Sequence, residues 1–368
     1  MGERGIALIT VLLLLLIVTP LAAMAFLQAR TDWLLERNLL AEQQAFHVAE
    51  AGLEHALAVI RPGTPLGSLW TGRDGIAGTA DDGVFPFEDG VPAPFPHAPF
   101  RYDVRVERRD RGVGLVSTGV GRHGAQKTVR GIVDQSPLPF TPGAVSAQAD
   151  GLRLELGTAG FRLSGHDHRL SDEPGSATGS APAVPGLAVG TDGAVAALRA
   201  RLGPDGRARV QGGGGEPSIA SGTTLDVEAV VNAVVQRPDV IALSTLQATE
   251  QLSLGERSTP RITVVSGDAD ISGAVDGAGI LIVRGALRVS GSFRFTGPVM
   301  VLGAVAGDTA STVVVHGALW QAASRDARVE FLGRGAVVYS SEALQLVDAA
   351  FPTVLPHHAV LVGWEEVL

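Results

Sequence analysis

Apolar residues fill the start of the chain almost without a break. Ile6–Leu27 reads IALITVLLLLLIVTPLAAMAFL, interrupted only by Thr10, Thr19 and Pro20, and carries no charge. As a helix rising ~1.5 Å per residue it reaches about 33 Å, enough to cross the hydrocarbon core of a bilayer. Pro20 lacks an amide proton and crowds the preceding turn, so a kink is predicted there. The helical period then continues. Apolar positions at Leu35, Leu39, Phe46, Leu53 and Ile60, with Ala49, Ala56 and Leu57 between them, predict one stripe that packs a helix over 28–61 on its own domain's sheet. Glu36, Arg37, Glu42, Glu50 and Glu54 lie on other faces, and Arg61-Pro62-Gly63 stops the helix.

The pattern then changes period. Residues 62–99 are rich in Gly, Pro and Asp. Alternation over Phe100–Val106, Gly112–Val120 and Gln126–Val133 predicts three antiparallel strands, with a turn at Gly121-Arg122-His123-Gly124. Pro137–Pro142 marks a boundary, and 136–260 reads as a mixed α/β connecting region with helices capped by Thr191 and Thr224. Over 261–341 the segment from Val265 through Gly267 and Ile271 to Gly273 recurs 18 residues later as Val283, Gly285, Val289 and Gly291, and Val301-Leu302-Gly303 keeps the phase. Units this small cannot bury a face alone, so they predict a stacked β-solenoid. Val265, Val283 and Val301 would form one inward column and Ile271 and Val289 another. Gly267, Gly285 and Gly303 would sit at corners whose backbone angles favour glycine. A β-sandwich is the alternative. Residues 342–368, around Trp364, read as a cap on an open end. The fold class is α+β: a long N-terminal helix, a small antiparallel sheet and a C-terminal β-solenoid.

Composition narrows the chemistry. Aromatics are only 5% and glycines number 47, so the core must be built from Val, Leu, Ile and Ala, which suits sheets. The net charge of −9 gives no general attraction to nucleic acid. Arg101, Arg105, Arg108, Arg109 and Arg111 are interleaved with Asp103, Glu107 and Asp110, and Tyr102 is the one stacking ring among them, so a solvated strand face is expected and nucleic acid is not an expected partner. The chain holds no Cys, which removes disulfides and thiolate metal sites. Asp74, Asp81 and Asp82 lie on the Gly-rich loop Gly72–Gly83 and are the candidate ligands of a Ca²⁺ ion; their spacing is not that of an EF-hand, and Asp-Gly pairs also make ordinary turns. No other cofactor is expected. His166-Asp167-His168 offers two imidazoles without an evident third ligand. Asp268, Asp270 and Asp276 beside the rungs would serve the rival reading, an anchored β-helical polysaccharide-active enzyme. No acid recurs in phase on later rungs and no Arg or His partner is evident, so no catalytic residue is assigned and a non-enzyme is expected.

The start of the chain carries a resemblance. Arg4-Gly5-Ile6-Ala7-Leu8-Ile9-Thr10-Val11-Leu12-Leu13 resembles the opening of the PilX-type minor pilins of type IV pili and of the K-class minor pseudopilins of type II secretion. Ala45-Phe46-His47-Val48-Ala49-Glu50-Ala51-Gly52-Leu53-Glu54 is similar to the stretch that closes the PilX N-terminal region. The resemblance covers about residues 4–60, and Phe161–Gly165 with Pro182–Gly186 resembles parts of larger PilX-like proteins. It implies cleavage between Gly5 and Ile6 by a prepilin peptidase and methylation of the new amine. It also implies other pilin-like subunits and an inner-membrane assembly platform as partners. The implied location is the bacterial inner membrane, single-pass with the C-terminal region extracytoplasmic, and then the pilus or cell surface. One position departs from the pattern: major pilins carry a glutamate where this chain has Thr10. A buried carboxylate without its partner is costly, so its absence suits a tip or initiating complex rather than the repeating shaft. The expected function is a minor pilin-like subunit in pilus or pseudopilus assembly that displays its β domain for surface contact or adhesion. A cleaved secretory signal fits less well because the apolar run is too long, and a plain anchor is not marked by a clear excess of basic residues on one side. The expected divisions are a leader over 1–5, a transmembrane helix over 6–27, an amphipathic helix over 28–61, the loop and sheet over 62–135, the connecting region over 136–260, the solenoid over 261–341 and the cap over 342–368.

Overall fold

The computed structural model describes residues 3–87, 100–109, 112–149, 151–157, 160–173, 176–222, 225–322 and 327–367, with side chains from residue 11 onward. The chain divides into two units, one of Met1–Gln135 with Ala359–Leu368 and one of Ser136–His358.

In the first unit, helix α1 (Glu3–Val59) runs unbroken through Pro20. Strands β1 (Arg101–Arg108), β2 (Val113–Val120) and β3 (Gln126–Pro139) form the expected antiparallel sheet. A fourth strand, β22 (His357–Val367), joins β3 at its edge. The tail, expected as a cap, therefore completes this sheet. Its ion pairs hold it there: Lys127 Nζ lies 2.7 Å from Glu366 and 3.9 Å from Glu42 on α1, and Arg130 lies 3.0 Å from Glu365.

The face that α1 buries keeps Ala49, Leu53 and Ala56 of the expected stripe but not its other large members. Leu39 is 59% exposed, and Phe46 and Ile60 are half-buried. The buried positions are Ala41, Ala45, Val48, Ala49, Gly52, Leu53 and Ala56. Small side chains win because they let helix and strand backbones meet. A Cβ on Gly119 of β2 would overlap the Ala45 carbonyl oxygen and the Ala49 amide nitrogen, and one on Gly121 would sit 2.7 Å from the Ala41 carbonyl. Dispersion between close backbones replaces the large-side-chain packing that the sequence suggests.

The second unit is a parallel β-solenoid whose central part makes about four turns. Its strands in chain order are β4 (Val145–Ala147), β5 (Arg153–Leu156), β6 (Arg162–Ser164), β7 (Leu187–Val189), β8 (Val210–Gln211), β9 (Ile219–Ser221), β10 (Val240–Leu243), β11 (Leu246–Ala248) and β12 (Gln251–Leu254). The repeat region follows with β13 (Arg261–Val265), β14 (Ala269–Ile271), β15 (Ala274–Val283), β16 (Leu287–Val289), β17 (Ser292–Val301), β18 (Val305–Gly307), β19 (Thr312–Gln321), β20 (Arg328–Phe331) and β21 (Arg334–Tyr339). Long strands stack in the order β13-β15-β17-β19-β21 and short ones as β14-β16-β18-β20. The expected columns are present. Val265, Val283 and Val301 lie in register and are all fully buried, and Ile271 pairs with Val289.

Residues 136–260 are not a separate connecting region. β4, β5 and β6 pair with β19, β20 and β21, while β10, β11 and β12 add a turn at the opposite end on β13, β14 and β15. The chain thus builds one end of the stack, travels to the other end and winds back. Helix α2 (Asp192–Arg201) is capped by Thr191 as expected, its hydroxyl accepting from Ala194 N at 3.3 Å; α3 (Pro204–Ala208) follows. Helix α4 (Val227–Val235) is capped by Asp226, which accepts from Ala229 N at 2.9 Å; Thr224 lies outside the described residues.

The corner glycines need a different explanation. Gly267, Gly285 and Gly303 do stack, but what excludes a side chain is the neighbouring turn: a Cβ on Gly303 would lie 2.6 Å from the Gly285 carbonyl oxygen. The left-handed backbone falls instead on Gly279 (φ 126), Gly297 (φ 125) and Gly317 (φ 140), which divide the long strands. Helix α5 (Ser341–Ala350), capped by Ser340, packs along β15, β17 and β19, and Val347 approaches the bare Gly297 Cα.

Candidate functional site

The surface that stands out belongs to α1. From Val11 to Leu40 its apolar side chains are open, with Leu16 74%, Phe26 70%, Met24 67% and Trp33 58% exposed. An 18-residue window reaches a mean hydropathy of 2.4, so the helix is long and apolar enough to cross a membrane. Two of its hydroxyls are satisfied locally: Thr19 donates to the Leu15 carbonyl oxygen at 2.6 Å, and Thr31 to Leu27 at 2.9 Å. Exposed apolar positions continue past the first 27 residues through Leu34, Leu35, Leu39 and Leu40, and Arg37 lies 5.3 Å from the Trp33 ring. Gly5, Ile6 and Thr10 lie in the first turns of α1, where side chains are outside the described part.

The three aspartates of the Gly-rich loop turn inward on the loop's own backbone. Asp81 accepts from Arg73 N at 2.7 Å, Asp74 N at 3.3 Å and the Thr79 hydroxyl at 2.7 Å. These bonds, the Thr79 hydroxyl first, hold its carboxyl below the usual 3.8. Asp74 accepts from Ile76 N at 2.8 Å, and Asp82 from Gly78 N at 2.7 Å. These are turn-making bonds, each carboxylate closing a few residues of chain. Among the described residues no group of three or more His, Cys, Asp or Glu is arranged to hold a metal ion.

The remaining sequence candidates are dispersed. Asp167 is buried and receives Ala181 N at 2.9 Å, Ser341 N at 2.8 Å and the Ser341 hydroxyl at 3.0 Å, which anchors the start of α5. His168 turns away from exposed His166 to Ser164, 3.0 Å from its hydroxyl. On the solenoid, Arg288 is the partner that the sequence did not reveal: it bridges Asp268 at 2.9 Å and Asp270 at 3.2 Å. The Ala286 amide and then Arg288 lower the Asp268 carboxyl, the opposite of what a general acid needs. Asp276 lies on β15, in register with Arg294 of β17, whereas Asp270 lies on β14. Among the arginines of β1, Arg105 meets Asp103 at 3.3 Å and Arg108 stacks 3.5 Å over the Trp70 ring; Asp110 and Arg111 lie outside the described residues.

No family model matches the chain, and no curated protein does. Among solved structures, the crystal structure of the competence-associated pilin ComZ from Thermus thermophilus aligns at 13% identity, covering 89% of this chain and 98% of that chain with a TM-score of 0.23. A score that low carries neither a detailed fold nor a function across.

Proposed function

We propose that the chain is a membrane-anchored minor pilin-like subunit that takes part in assembling a type IV pilus or pseudopilus, at the tip or in the initiating complex. The observation that carries this reading is the division of labour along α1. From Val11 to Leu27 it offers exposed side chains that are apolar apart from Thr19, for lipid or for neighbouring helices, and its second half packs through Ala and Gly on an antiparallel sheet. Thr10 and the bulk of residues 136–358 favour a low-copy position, since a domain of that size would crowd a repeating shaft. The solenoid then serves for surface contact or adhesion, and the pairing of Asp268 and Asp270 with Arg288 supports a non-enzyme.

Mass spectrometry of the N-terminus tests the core of the proposal. In a strain with a prepilin peptidase, the mature chain is expected to begin at Ile6 with a methylated amine. An intact Met1, or a terminus near Ala25, would overturn it.

A further inference from the structure

We propose that the solenoid unit contains a binding site for a small, largely apolar organic molecule that presents one hydrogen-bond acceptor, a carbonyl oxygen above all, to the Tyr339 hydroxyl. The site is a cavity of about 460 Å³. That volume lies within the ~300–1,000 Å³ typical of small-molecule pockets. Its apolar walls come from Phe140, Pro142, Pro182 and Pro185, and Ala188 and Ala220 line it as well.

These walls are fixed before any ligand arrives. The Phe140 ring sits edge-on to His358 with centroids 4.2 Å apart, and its amide donates to the Pro356 carbonyl at 2.6 Å. The opposite wall is held by Ala144 N on the Pro185 carbonyl and by Val184 N on the Gly165 carbonyl, each at 2.9 Å. Proline adds stiffness because its φ cannot change.

Two largely buried residues that carry a hydroxyl, Thr141 and Tyr339, line this cavity, and they differ. Thr141 is spent: it donates to the Gly143 carbonyl at 2.7 Å and accepts from Trp320 Nε1 at 3.0 Å. The Tyr339 side chain is only 4% exposed and lines the cavity, and among the described residues its hydroxyl makes no hydrogen bond; the oxygen itself keeps accessible surface, so it is reachable from the cavity. A phenol carries an apolar ring and a polar tip, so Tyr339, whose hydroxyl the protein leaves uncommitted in a mostly apolar cavity, can donate to a ligand's acceptor while its ring adds to the wall. Burial pushes its pKa up to about 12, so it stays a donor across the working pH range. The position of the residue adds to the case. Tyr339 stands in register with Gly317, at the corner where Gly279, Gly297 and Gly317 leave preceding turns bare. The solenoid gains nothing in its own hydrogen bonding from a phenol there.

The inference concerns residues of the solenoid unit alone and stands whether or not the chain is a pilin. It is tested on the full chain in lipid nanodiscs by fluorine NMR titration with 4-fluoroacetophenone and with 1-ethyl-4-fluorobenzene, which has a similar shape but no acceptor. The native chain is expected to prefer the ketone by about fivefold to tenfold, the worth of one hydrogen bond. Tyr339→Phe should remove that preference, and Ala220→Trp, which fills the cavity, should remove binding of both probes beyond lipid partition. Melting curves confirm that each variant is folded. Equal affinity for the two probes in the native chain, a preference that survives Tyr339→Phe, or an unchanged signal in a folded Ala220→Trp would overturn the proposal.

Discussion

Replacing Val283 by alanine removes two methyl groups from a column in which Val265, Val283 and Val301 stack in register, all fully buried. At ~0.8 kcal/mol per buried carbon, the transfer loss is about 1.6 kcal/mol. The neighbouring turns are held about 4.8 Å away by parallel backbone ladders. They cannot collapse into the gap, so a cavity contribution raises the expected cost to about 2–3 kcal/mol. Arg288, five residues further on in the same repeat, is the control. Its side chain is 54% exposed and its two carboxylate contacts lie at the surface, so Arg288→Ala should cost under about 1 kcal/mol. The assay is denaturant unfolding of the full chain in a Trp33→Phe, Trp70→Phe, Trp364→Phe background. Trp320, fully buried in the solenoid, then reports that unit alone. Equal costs for the two substitutions would refute the stacked-column reasoning.

Two further outcomes are expected. Gly119→Ala should strip α1 from β2 and cost the first unit about 2–3 kcal/mol, because the new methyl meets helix backbone that cannot rotate away, whereas Gly363→Ala, which meets nothing within 4 Å, should cost almost nothing. Trp70 fluorescence during unfolding checks this; a harmless Gly119→Ala would show that helix and strand are not in backbone contact. The solenoid should lose stability as pH falls below about 6.5. His168 and His316 are buried and their pKa values are lowered by desolvation, so the unfolded chain takes up protons first and the full stability is present only above 6.5. Asp172 and Asp167 oppose this lowering at His168, while His166 adds to it. At His316, Arg257 and His168 add to it and Asp172 opposes it. Melting temperatures at pH 7.5 and 5.5 should diverge less in a His168→Gln, His316→Gln double variant than in the native chain; an equal divergence would exclude these two groups.

The parts of this fold that were legible in sequence are those whose periodicity is local. Ile6–Leu27 is read from its own residues, and the Val265, Val283 and Val301 column from an 18-residue echo. The later echo fades because Gly297 and Gly317 are 20 residues apart, which moves the strands out of phase. The turn made by β4, β5 and β6 was hidden for another reason: Val145 pairs with Leu319, and no local pattern in a three-residue strand announces so distant a partner. The helix stripe was right at Ala49, Leu53 and Ala56 but wrong at Leu39, because ranking positions by side-chain size puts Leu39 before Ala45, whereas contact with Gly119 requires the opposite order. At the candidate site, the aspartate cluster was visible in the sequence but the backbone bonds it accepts were not. Carboxylates that close turns and carboxylates that gather around a cation share a composition, and only the positions of Arg73, Ile76 and Gly78 amides separate them.

The place of β22 bears on how the protein is made. β3 ends at Pro139, and the strand that covers its edge begins at His357, so the whole solenoid is synthesised between the two. Until then the nascent chain holds a three-stranded sheet with β3 bare, a template for wrong pairing. The turn formed by β4 must likewise wait for β19, some 170 residues later. A ribosome that stops anywhere within the second unit therefore leaves the first unit unfinished as well. β22 acts as a receipt for synthesis of the solenoid, and chains that stop short of it would betray themselves to proteases at the sheet next to the helix.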